Sequence, residues 1–111
     1  MRQLGEFKLK LGSKREMPIE VLSDNDNTII IIDCGCCEEY LSSRLPGGVL
    51  IPIASALKTF FGERGMRNVD VSVNGIRMRR TYKGVIDDAE LPLMAKELES
   101  AVSKFARKKK V

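Results

Sequence analysis

The chain has 111 residues, 43% of them hydrophobic and 31% charged, which suits one small globular domain with a single core and excludes a disordered chain. No apolar run approaches the roughly 20 residues of a membrane span, and residues 1–6 lack the apolar core of a signal peptide, so a cytoplasmic protein without membrane contact is expected. The formal charge of +4 belongs to one end: Lys104, Arg107, Lys108, Lys109 and Lys110 have no acid among them, leaving residues 1–103 with a net −1 and excluding a uniformly basic surface.

Phe7, Leu9 and Leu11 alternate with Lys8 and Lys10, the pattern of a half-buried strand whose lysine face is wet. Residues 12–16 read as the turn out of it. Ile19 and Val21 indicate a second strand over residues 18–22, with Pro18 at its first position, where a missing N–H does least harm. Ser23 to Asn27 is polar turn chemistry. Ile29, Ile30, Ile31 and Ile32 then follow without alternation, so both faces of that segment need cover, as in a central strand. Three consecutive strands with short connections predict an antiparallel meander.

Cys34, Cys36 and Cys37 follow the isoleucines, an odd number that cannot form an internal disulfide framework. Two readings of them are open. As buried small hydrophobes at a strand end they need no partner; as metal ligands they fall short of the four that zinc takes and need Glu38 or a second subunit to complete the set, since the chain has no histidine. The absence of histidine also removes Cys-His and Ser-His-Asp nucleophiles. No catalytic set and no metal site are assigned. Pro46-Gly47-Gly48 lacks the lysine and the following Ser or Thr of a phosphate-binding loop, so no cofactor is expected.

Residues 38–44 have room for one or two helical turns before Pro46-Gly47-Gly48, and Val49-Leu50-Ile51 is a short apolar run of its own. Leu57, Phe60 and Phe61 recur at helical spacing and predict a helix near 53–63, closed by Gly62 and Gly65. Val69, Val71 and Val73 alternate with Asp70 and Ser72, and Asn74-Gly75 is the preferred two-residue hairpin turn. That turn sets Val73 opposite Ile76, Val71 opposite Met78, Ser72 opposite Arg77 and Asp70 opposite Arg79. Finally Leu91, Met94, Leu98, Val102 and Phe105 form an apolar stripe in a helix near 89–107, with Asp87, Asp88 and Glu90 at its start and the cations at its end.

Two resemblances arise from these residues. Across residues 18–52, Asp33, Glu39-Tyr40, Leu45-Pro46-Gly47-Gly48 and Ile51-Pro52 succeed one another as in the first half of a rhodanese-like sulfurtransferase domain, which this stretch resembles. Gly35 stands where that family usually has Arg, and Arg44 where it has His. The resemblance implies a parallel central sheet and a nucleophilic cysteine after a later strand. At the corresponding distance Asn74 follows Val73, and no cysteine occurs after Cys37, so the resemblance implies a relic without sulfur transfer. Separately, Asp70, Ser72 and Gly75 match the short Asp-x-Ser-x-x-Gly motif of PilZ domains, which bind cyclic di-GMP. That family also needs an arginine pair well upstream, which Arg64 and Arg67 do not supply, and the hairpin accounts for the same residues.

The expected fold is α+β: a mainly antiparallel sheet of five or six strands, a middle helix and a long C-terminal helix, with residues 1–103 as the domain and 104–111 as its basic end. The expected function is that of a small non-catalytic binding domain. Its contacts to nucleic acid or an acidic protein are expected from Lys104, Arg107, Lys108, Lys109 and Lys110 and from the ribbon cations Arg77, Arg79, Arg80 and Lys83. The alternatives are a solubilising end with no partner and a rhodanese-like relic or thiol enzyme using Cys34, Cys36 or Cys37.

Overall fold

The computed structural model describes residues 1–10, 16–33, 50–74 and 77–109. Strands β1 (Arg2–Lys10), β2 (Glu16–Asp24) and β3 (Asn27–Asp33) come first, then helix α1 (Leu50–Glu63), strands β4 (Asn68–Asn74) and β5 (Arg77–Lys83), a 3-10 turn at Asp88–Glu90 and helix α2 (Leu91–Lys109). The expected α+β class is observed. The strands form one five-stranded sheet in the order β1-β2-β3-β5-β4, antiparallel at every described pairing. The first three make the expected meander. β3 is the middle strand because the β4–β5 hairpin returns after α1 and docks β5 on its free side.

Both helices lie on one face, and strand alternation decides which residues meet them. Leu9 pairs with Met17, Ile19 with Ile32, Val21 with Ile30, and Ile32 with Met78. These side chains form one buried cluster with Ile53, Leu57, Phe60 and Phe61 of α1 and Met94, Leu98 and Val102 of α2. Phe61 stacks on Tyr82 at 3.9 Å between centroids and 8° between planes, and meets Phe60 edge-on at 5.3 Å. The isoleucine run is divided accordingly. Ile30 and Ile32 face the helices, whereas Ile29 and Ile31 lie on the other face, where Ile29 is still only 1% exposed between its register neighbours Leu22 and Thr81.

The starts and stops of these elements have local causes. α1 begins at Leu50, earlier than the expected 53, because the apolar pair Leu50-Ile51 opens the helix instead of forming a separate run. Pro52 sits in its first turn, where the absent N–H has no intrahelical partner. The helix closes with Met66 N–H donating to Phe61 O (2.9 Å) and Gly65 N–H to Gly62 O (3.0 Å), while Gly65 takes φ +70°. This is a Schellman closure, for which glycine at the left-handed position has no steric cost. At the entry to α2, Asp87 Oδ1 accepts from Ala89 N–H at 3.3 Å, and Pro92 occupies the second helical position.

Two polar contacts tie the layers together. Thr28, fully buried, donates from Oγ1 to the Gly84 carbonyl at 2.7 Å and accepts from Ile86 N–H at 3.2 Å, so the start of β3 holds the segment that leaves β5. Arg64, just past α1, donates to Glu90 Oε2 at 2.6 Å and to Phe60 O at 2.8 Å, with its guanidinium 3.5 Å from the Phe60 ring centroid. The second contact joins the end of α1 to the turn before α2.

The hairpin differs from its expected register. Asn74 pairs with Arg77, Val73 with Met78, Ser72 with Arg79, Val71 with Arg80 and Asp70 with Thr81, with a bulge between Asn68 and Asp70. Every expected partner is displaced by two residues, so the Asp70–Arg79 pair does not form. A slip of two leaves side-chain alternation unchanged, which is why Val71 and Met78 still share a face and why the sequence pattern cannot separate the two registers. Gly75 and Ile76 lie outside the described residues, as do residues 12–15 of the turn expected at 12–16 and the expected helical turns at 38–44. Glu16, expected in that turn, instead opens β2 by pairing with Lys10, so Pro18 is the third residue of the strand and not its first.

Candidate functional site: a cationic groove beside the edge strand

Sheet alternation splits the ribbon cations that the sequence groups together. Arg77, Arg79 and Lys83 lie on the face without helices, whereas Arg80 lies on the helix side. Following the register across the sheet shows what each cation meets. Arg79 belongs to the row Glu6–Glu20–Ile31–Arg79–Ser72, Arg77 to the row Asp33–Arg77–Asn74, and Lys83 to the row Asp24–Asn27–Lys83. Each of these rows contains an acid, so the open face is a mosaic of mixed sign and not a basic patch. A shallow depression on it is lined by Glu6, Glu20, Ile31, Asp33 and Arg77.

Arg80 has different neighbours. Its row is Gly5–Val21–Ile30–Arg80–Val71, with no other charge. An unpaired guanidinium in an apolar row is costly to bury, and the side chain is accordingly half-buried, donating from Nε to the Tyr82 hydroxyl at 3.0 Å. The stacking of Tyr82 on Phe61 fixes that hydroxyl, so the core itself orients Arg80.

Around Arg80 opens a groove of about 530 Å³, lined by Lys58 and Gly62 of α1, by Gly65, Met66, Arg67 and Asn68 of the connection to β4, and by Arg80 and Tyr82 of β5. Three of these described lining residues are cations and none is an acid. Lys58 projects from α1 next to the buried Leu57, on the exposed side of the helix. Arg67 is held by its backbone, whose carbonyl accepts from Lys83 N–H at 2.9 Å. The last turn of α1 itself carries no basic residue, so this positive charge is not placed there to answer the pole of the helix. It faces solvent without a counter-ion among the lining residues.

Lys104, the first cation of the basic end, lines a separate shallow groove between the helices with Pro52, Ser55, Thr59 and Glu97. The backbone of α2 continues as helix through Arg107 and Lys108 to Lys109, so this much of the basic end is helical. The Phe105, Arg107, Lys108 and Lys109 side chains, Lys110, and the thiols Cys34, Cys36 and Cys37 all lie outside what is described. Lys104 is thus on the same side of the sheet as Arg80 and on the opposite side from Arg77, Arg79 and Lys83. Lys58 and Arg67 are absent from the sequence-predicted set, since tertiary structure brings them to Arg80: Lys58 through the packing of α1 over β5, and Arg67 through the bond that its carbonyl accepts from Lys83 N–H.

No family model, no curated protein and no solved structure matches this chain.

Proposed function

We propose that this chain is a small non-catalytic binding domain that takes nucleic acid by its phosphates, through the groove of Lys58, Arg67 and Arg80 and the basic end of α2. The observation that carries this reading is the unbalanced charge of the groove, set against the balanced rows of the open face. Phosphate contacts position a protein on nucleic acid without reading sequence. Stacking on bases needs exposed aromatic rings. Tyr82 at the groove is 1% exposed and already stacked on Phe61, so little sequence preference is expected. A rhodanese-like relic or thiol enzyme remains the alternative; the antiparallel sheet lends it no support, and its thiols are outside the described residues.

The test is duplex affinity measured across salt for the full chain and for a chain lacking residues 107–111. If the three groove cations each neutralise one phosphate they contribute a slope of about −2.7 to log K against log salt, and about four contacts from the C-terminal end add roughly −3.6. Truncation removes the second contribution and leaves the first. Absence of binding at low salt, or a slope unchanged by truncation, contradicts the proposal.

A further inference from the structure

The two edges of the sheet are built differently. β1 carries the cations Arg2, Lys8 and Lys10 along its length, has a bulge between Gln3 and Gly5, and is packed by α2, whose Leu91 Cδ1 lies 2.7 Å from where a Cβ on Gly5 would stand. Charges, a bulge and a covering helix are all devices that prevent a strand edge from pairing with another chain. β4 has few of them. It contains no lysine, arginine or proline, its bulge lies at its beginning, and Val69 and Val71 are 46% and 45% exposed. Burial along the row of Val71 falls off in order, from Val21 and Ile30 at 0% through half-buried Arg80 to Val71 itself, because the cover given by the helices ends before β4.

The sequence of this exposed edge says what fits it. Asn68-Val69-Asp70-Val71-Ser72-Val73-Asn74 reads almost the same in both directions about Val71. An isologous interface requires such self-complementarity, since residue i must meet residue j and j must meet i. We infer that β4 pairs antiparallel with β4 of a second copy of this chain about a two-fold axis at Val71, joining the two sheets into one. Val71 then faces Val71 of the second copy, Asp70 faces Ser72, Val69 faces Val73 and Asn68 faces Asn74. The single charge of the strand meets a hydroxyl donor in this register. A two-fold axis at Asp70 instead sets two carboxylates against each other, and one at Ser72 leaves Asn68 and Val69 without partners. With the axis perpendicular to the sheet, the cationic grooves of both copies lie on the same side.

The test is the molar mass of the full chain by sedimentation equilibrium over a range of protein concentrations, with folding of each variant followed by circular dichroism. The wild type is expected to rise from 12.4 kDa towards twice that value as concentration increases. Val71→Lys sets two ammonium groups across the axis and is expected to weaken association about tenfold or more, equivalent to 1.4 kcal/mol. Ser72→Asp, which sets the introduced carboxylate against Asp70 twice per dimer, is expected to weaken it as well. The combined Asp70→Lys and Ser72→Asp variant, which replaces both repulsions with opposite-charge pairs, is expected to restore association at least to the wild-type level. A chain that stays monomeric at all concentrations overturns the inference. So does a dimer indifferent to Val71→Lys, or a charge exchange that fails to restore what Ser72→Asp removes.

Discussion

The two faces of the sheet use the same alternating backbone for opposite ends. On the helix side, successive rows of Leu9, Met17, Ile19, Ile30, Ile32 and Met78 pack against two helices, and Arg80, a cation set among them, is drawn to the margin and held by Tyr82. On the other side each ribbon cation shares its row with an acid, so charges offset one another across the strands. The difference teaches that the number of arginines and lysines on a ribbon is a poor guide to where positive charge is left unbalanced. What matters is whether the neighbours in the same row already answer the charge.

Breaking the helix side should cost the most stability. Phe61→Ala removes a ring that is fully buried and stacked on Tyr82, and about 3–5 kcal/mol is expected from denaturant unfolding. A loss under about 1 kcal/mol would mean that the stacked pair does not hold the helix to the sheet. Thr28→Val keeps the shape of a buried residue but leaves the Gly84 carbonyl and the Ile86 N–H without their partner. The expected cost is about 1–3 kcal/mol, since buried polar groups lose their compensation. Faster hydrogen exchange at Ile86 should accompany it. Glu20→Gln on the open face should change unfolding free energy by no more than about 0.5 kcal/mol, because it alters a surface mosaic and not a packed layer. A larger effect would show that the open face is more ordered by its charges than its mixed rows suggest.

Much of this organisation is legible in the residues alone. The isoleucine run points to the central strand, the 3.6-residue spacing of Met94, Leu98 and Val102 to the C-terminal helix, and the alternating valines to the hairpin. Three features escape for physical reasons. The hairpin register is invisible to alternation because a slip of two returns every side chain to the same face. The first turn of α1 is missed because Leu50-Ile51 after a Pro-Gly-Gly stretch has the composition of a strand. The groove is assembled from Lys58, Arg67 and Arg80, which are distant in sequence and meet only through tertiary structure. Alternation by itself does separate Arg80 from Arg77 and Arg79, so that division is already present in the sequence.

The central claim is that anions bind on the helix side and not on the open face, and one paired comparison addresses it directly. Lys58, Arg67 and Arg80 are changed together to Gln in one variant, and Arg77, Arg79 and Lys83 together to Gln in another, so that both lose the same net charge. Duplex affinity is then measured across salt for both. The groove variant should bind more weakly and show a log K against log salt slope flattened by about 2.7, with the open-face variant close to wild type. Equal losses in the two variants, or a greater loss from the open face, would contradict the account.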